Sequence, residues 1–153
     1  MKVLIAYDSV SPNKNTEKIA EAIRDVLKTK GMDVQSSYVK DVVPSSVKDY
    51  DCLIVGSPTQ AWRETGLIRD FLNSLTPQSA SGKQGAAFDT RIKARLAGGA
   101  TDDIENKLTQ LGFKIVLPGL AAYVKGEKSQ VVLMEGELEK AKQFAEQLAA
   151  ALL

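Results

Sequence analysis

Three polar stretches in this sequence carry residue types that hold small molecules, and each follows a short apolar run. The first is Ser9-Val10-Ser11-Pro12-Asn13-Lys14-Asn15-Thr16, which empties into a helical pattern. A helix N-terminus presents unpaired N–H groups and the positive end of the helix dipole, so hydroxyls and amides beside it suit a phosphate or a carboxylate. The same composition also makes an ordinary turn and helix cap. The second stretch, Gly56 to Glu64, contains Ser57, Pro58, Thr59, Gln60, Ala61 and the only tryptophan, Trp62. The third opens Phe88-Asp89-Thr90-Arg91 and runs to Ala100. Its end, Gly98-Gly99-Ala100-Thr101, reads either as a helix cap on Thr101 or Asp102 or as a second anion site.

Several chemistries lack their residues. The chain has no histidine and one cysteine, which excludes Ser-His and Cys-His catalysis, an internal disulfide and most zinc sites. Neither G-x-x-x-x-G-K-[ST] nor a G-x-G-x-x-G after the first strand occurs, so ATP and NAD binding lose their usual signatures. A phosphoryl-accepting domain would need an acidic cluster for Mg²⁺, whereas a single Asp8 follows the first strand and no Asp ends the third. With 20 basic against 19 acidic side chains and no dense Lys/Arg cluster, neither nucleic acid nor a membrane is an expected partner. Cys52 lies inside an apolar run and reads as a small hydrophobe.

The elements that must position these stretches follow from periodicity. At 153 residues and 44% hydrophobic, the chain suits a single domain over residues 1–153 with one self-sufficient core. Val3 to Tyr7 and Cys52 to Val55 are continuous apolar runs, as central strands covered on both faces require. Val34 to Val39 alternates loosely and suits an edge strand; Ala86 to Phe88 and the stretch Phe113 to Val124, interrupted by Pro118-Gly119, supply two more. Between them run amphipathic helices: Thr16 onward with Asn15 as N-cap and Gly31 past the end, then Ile68 to Leu75, Ile104 to Leu111, and Glu135 to Leu153. The expected fold is α/β, three layers, a doubly wound five-stranded parallel sheet. In such sheets ligands bind beyond the carboxyl ends of the strands, where all three polar stretches lie.

Two runs carry a family resemblance. Ala6-Tyr7-Asp8-Ser9 followed by Asn15-Thr16-Glu17-Lys18-Ile19-Ala20-Glu21-Ala22-Ile23 resembles the first strand, phosphate loop and first helix of the flavodoxin family, and Val55-Gly56-Ser57-Pro58-Thr59 resembles its third-strand ending. The resemblance spans the chain in length and element order and is of the short-chain type. It implies a flavodoxin-like fold, with strand order 2-1-3-4-5, and FMN as cofactor. It places the phosphate at Ser9, Ser11, Asn13, Lys14, Asn15 and Thr16, and the flavin ring against Ser57, Pro58, Thr59, Gln60, Ala61 and Trp62, with Phe88, Asp89, Thr90 and Arg91 on the other side. Trp62 is then a ring stacked on the isoalloxazine; Asp89 either accepts from the pyrimidine N–H or ends its strand. Arg63 and Arg91 are solvated or capping residues, or cations that favour the reduced, anionic flavin. Tyr7 and Phe88 are most simply core residues.

The sequence departs from the family pattern in three ways. The first loop is about two residues longer, with Pro12-Asn13-Lys14 where glycine is expected; the third lacks a second aromatic; and the charge is near neutral rather than acidic. The resemblance implies an FMN electron carrier acting between redox partner proteins as a monomer or weak dimer. Alternatives are a flavin reductase of quinones or other small acceptors, and an interaction module that has lost FMN. The opening apolar run is too short for a signal peptide, so a cytoplasmic setting is expected.

Overall fold

The fold follows the apolar runs, with strands of alternating facing held between two helical layers. The structure, a computed structural model, describes residues 1–60, 62–93, 99–127 and 130–152. Strands β1 (Lys2–Tyr7), β2 (Asp33–Tyr38), β3 (Cys52–Pro58), β4 (Gln84–Ile92), β5 (Lys114–Ile115), β6 (Leu120–Lys125) and β7 (Val132–Leu133) form one sheet ordered β2-β1-β3-β4-β6-β7, with β5 beside β4. All pairings are parallel except β6 with β7. The helices are α1 (Asn15–Thr29), α2 (Gly66–Ser74), α3 (Pro77–Ala80), α4 (Ala100–Leu111) and α5 (Glu137–Leu152).

Each strand divides its side chains between two cores. Val3, Ile5, Cys52, Ile54 and Phe88 face α1 and α5, where Ile19, Ile23, Phe144 and Leu148 receive them. Leu4, Ala6, Leu53, Val55 and Ala87 face α2 and α4, against Ile68, Leu72, Ile104 and Leu108. Burying such side chains contributes about 1.5–3 kcal/mol each, which holds the central strands and leaves their carboxyl ends to carry polar residues. The Cys52 thiol is buried in this layer, and that burial pushes its pKa up to about 12. The strand order reverses between β1 and β3, and the loops after both leave the sheet at the same end.

Three boundaries differ from the expectation. The fourth strand runs through Ile92 instead of ending at Phe88, because β3 pairs with it as far as Pro58↔Thr90 and β6 as far as Ile92↔Val124. Pairing on both sides keeps Asp89, Thr90 and Arg91 extended although the apolar run has ended. The fifth parallel position is split: β5 pairs with Gln84 and Gly85, the chain then bows out through Pro118, which has no N–H to donate, and β6 rejoins at Phe88. The antiparallel β7, absent from the sequence reading, continues the sheet after a turn at Gly126, whose φ of 119° and close approach to the Gln130 carbonyl require a residue without Cβ.

Gly112 closes α4 with φ 107°, its N–H bonded to the Thr109 carbonyl and that of Phe113 to Leu108, a Schellman closure.

Candidate functional site

The first loop turns over at Ser11, whose carbonyl accepts from the Lys14 N–H at 3.0 Å, and enters α1 through Lys14 in the left-handed conformation (φ 52°, ψ 47°). The left-handed residue is thus a lysine, within the Pro12-Asn13-Lys14 stretch where the family pattern has a glycine. The expected Asn15 cap is displaced by this geometry. Asn15 is the first helical residue, and its Nδ2 donates to the Val131 carbonyl at 3.0 Å and to Ser11 Oγ at 3.4 Å. Asn13 Nδ2 donates to the same carbonyl at 2.8 Å, so both amides tie the loop to the β6–β7 hairpin. Beneath the loop, Ser9 Oγ accepts from the Glu17 N–H and the Ser9 carbonyl accepts from the Tyr38 hydroxyl. The Tyr7 hydroxyl donates to Glu17 at 2.7 Å; burial and that carboxylate push its pKa up.

From β3, Ser57 is fully buried, its Oγ accepting from the Thr65 N–H at 3.0 Å and donating to the Pro58 carbonyl at 2.8 Å. The Thr65 hydroxyl donates to buried Asp8 at 2.6 Å, which locks the second loop to the first. Gln60 and Arg63 exchange two backbone bonds (2.8 and 3.1 Å) across a tight turn that carries Trp62 at φ 67° with 65% of its surface exposed. Ala61 lies outside the described residues, as does Gly98.

On β4, Phe88 is fully buried under Gly56, where a Cβ would fall 2.0 Å from its ring. Thr90 Oγ1 meets Thr16 Oγ1 at 2.8 Å, joining strand end to helix start. Asp89, also fully buried, accepts from Arg91 Nε at 3.0 Å and Nη2 at 2.6 Å and from the Thr101 N–H at 3.2 Å. Burial pushes the Asp89 carboxyl above its usual value, and these donors act against that. Asp89 thus holds the start of α4, whose cap position is Gly99 and not the expected Thr101 or Asp102; Thr59 Oγ1 also accepts from the helix's first N–H, that of Ala100, at 3.1 Å.

These elements enclose a cleft of about 270 Å³. Its walls are Ser11, Asn15 and Thr16 from the first loop, Pro58, Thr59 and Gln60 from the second, and Thr90 and Arg91 from β4. Ser9, Ser57, Phe88 and Asp89 stand behind the walls as supports, Asn13 reaches across to the hairpin, and Lys14 and Trp62 are exposed and do not line the cleft, though each lies in a loop that does. Val10, Ile92, Val124 and Val131 also line the cleft and were not among the residues singled out in the sequence. An apolar triplet after Gly126, Val131-Val132-Leu133, was the available signal for the last of these. Asn15 Oδ1 is buried on the wall and has no hydrogen-bond partner among the described residues. An unmet acceptor of this kind costs about 1–3 kcal/mol, and a ligand hydroxyl satisfies it.

The cleft therefore combines a helix N-terminus, an unmet acceptor and apolar walls, which fits a ligand with a phosphate at one end, hydroxyls between and a flat ring at the other. Among the described residues no group of three or more His, Cys, Asp or Glu is placed to hold a metal ion, and no helix is long and apolar enough to cross a membrane.

Residues 5–136 match the family model described as Flavodoxin. Among solved structures the chain is similar to a flavodoxin from the domain Archaea, at 27% identity and a TM-score of 0.82 over 99% of both chains. It is similar to oxidised flavodoxin 2 from Bacillus cereus, at 28% identity and a TM-score of 0.80, over 98% of this chain and 99% of that one. It also matches part of rubredoxin oxygen:oxidoreductase from Desulfovibrio gigas, at 26% identity and a TM-score of 0.79, covering 99% of this chain and 36% of that one.

Proposed function

Because the chain belongs to the flavodoxin family, whose members bind FMN, we propose that it holds FMN in this cleft and carries electrons between redox partner proteins, as a single domain and a monomer or weak dimer. The observation that carries the reading is the cleft's asymmetry. One end is a helix N-terminus with hydroxyls and amides around it; the other is bounded by Pro58, Thr59, Gln60 and the β4 end, with Trp62 beside it.

Bound FMN supplies the electron acceptance and donation. The protein's residues bind, orient and exclude water. The first N–H groups of α1, with Ser11 and Thr16, hold the phosphate, and Asn15 Oδ1 accepts from a ligand hydroxyl. Pro58 to Gln60 shape the slot for the ring, and Trp62 gives it an aromatic face. Arg91 lies on the wall paired with Asp89, and among the described residues the cleft lining carries no other ionisable group to move a proton there. That absence suits a carrier better than a reductase of small acceptors.

Fluorescence-quenching titrations of the flavin-stripped protein with FMN and with riboflavin test the reading. Tight FMN binding with much weaker riboflavin binding supports it, and Thr16→Ala is expected to reduce FMN affinity far more than riboflavin affinity. Equal losses for both ligands would remove the phosphate assignment. No quenching by either would move the interaction-module reading to the front, and catalytic oxidation of a nicotinamide nucleotide would favour the reductase.

A further inference from the structure

The Asp89–Arg91 pair occupies an unusual position. Arg91 is a wall residue of the cleft with 17% of its side chain exposed, while Asp89, two residues earlier on the same face of β4, is completely buried. The guanidinium meets the carboxylate through two nitrogens, a bidentate fork that fixes its plane. Thr101 Oγ1 accepts from Nη2 at 3.1 Å. Gly99 lies directly against it: a Cβ at that position would fall 2.1 Å from Arg91 Cζ. The arginine is therefore packed in place rather than swinging freely, and its positive charge stands against a negative one at 2.6 Å.

This arrangement matters for what the cleft prefers to bind. A lone cation on a partly buried wall acts over several ångströms at low effective dielectric, so it favours any anionic form of a bound group. FMN takes up two electrons and one proton to give a reduced ring that carries one negative charge, whereas the oxidised ring is neutral. We propose that Asp89 cancels the charge of Arg91 at the cleft wall, so that the arginine leaves the site's preference between the oxidised and the reduced ring unbiased. Arg91 supplies shape and hydrogen-bonding rigidity there without net charge, and Asp89 acts through it as a positioning residue. The inference rests on the FMN reading of the cleft.

The test compares the affinities for oxidised and reduced FMN, the reduced form generated with dithionite, together with the midpoint potential of the complex relative to free FMN. Asp89→Asn keeps the shape and unmasks the guanidinium. It is expected to raise the preference for reduced over oxidised FMN by on the order of tenfold, with the potential moving upward. Asp89→Asn with Arg91→Gln removes both charges and is expected to return the preference to that of the unaltered protein. A merely structural role predicts weaker binding of both forms in the single variant and no recovery in the double. An unchanged preference in Asp89→Asn, or a double variant that departs from the unaltered protein, overturns the inference. If Asp89→Asn does not fold, the double variant alone decides, since cancellation requires its preference to match. Failure of the unaltered protein to bind FMN at all would overturn the FMN reading instead, so the two failures are separately visible.

Discussion

Lys14 and Trp62 are the two residues other than glycine with positive φ among the described residues, at 52° and 67°, and each lies in a loop that contributes other residues to the cleft. A side chain with a Cβ pays about 1–2 kcal/mol for the left-handed region, so the strain is concentrated in the loops of the candidate site. Lys14, in the triplet that stands where the family pattern has a glycine, takes the left-handed conformation between the turn bonded at Ser11 and the start of α1. That outcome was not legible in the residue types, because a lysine announces nothing about φ. Trp62 separates strain from binding. Trp62→Gly is expected to relieve the backbone, leaving stability to urea unchanged or up to about 1 kcal/mol higher. FMN binding is expected to weaken by roughly 1–3 kcal/mol through loss of the aromatic face. An affinity that survives the substitution would remove Trp62 from the site.

At the scale of elements, the strongly periodic segments were readable and the junctions were not. β1, β3 and α1 follow from apolar runs and helical stripes, since burial on both faces leaves few other solutions, whereas the order of the parallel strands was implied by the family resemblance. What the sequence hid was pairing. Asp89 to Arg91 read as a loop because they are polar, and only the neighbouring β3 and β6 hold them extended. The β6–β7 hairpin was signalled only by the short apolar triplet Val131-Val132-Leu133, and nothing signalled the contact that steadies the first loop, where the Val131 carbonyl accepts from both Asn13 and Asn15. Nothing in a Ser/Asn-rich loop says that its amides serve a hairpin more than a hundred residues later. Asn13→Ala is expected to cost about 1 kcal/mol. Amide exchange should quicken in the hairpin while β4 stays slow, and FMN affinity should fall more than riboflavin affinity because the loop near the phosphate loosens. Equal exchange in hairpin and sheet core would show that the clasp is not a separable element.

For the whole molecule, the consequence of this architecture is that a ligand in the cleft touches every element whose end meets there: the start of α1, the carboxyl ends of β3 and β4, and the β6–β7 hairpin. These pieces belong to both hydrophobic layers, so the ligand bridges parts of the fold that are otherwise joined through the sheet. Binding to the folded state alone adds about 2.7 kcal/mol of stability at a ligand concentration of 100 times Kd. For a domain of this size each kcal/mol raises Tm by roughly 2–4 °C, so saturating FMN is expected to raise the thermal midpoint by about 5–11 °C. Riboflavin at the same concentration lacks the group that engages α1, so its shift should be much smaller. The near-neutral charge of +1 sharpens this comparison. With no strong overall field to attract or repel an anion, the difference between the two ligands reports the local helix terminus and hydroxyls rather than the net charge of the protein. Raising the salt concentration should therefore reduce the FMN advantage only modestly, because the contacts that create it are short and partly buried. A steep collapse of the difference with salt would instead assign the selectivity to exposed lysines and arginines such as Lys14 and Arg63, and would move the anion away from the α1 terminus.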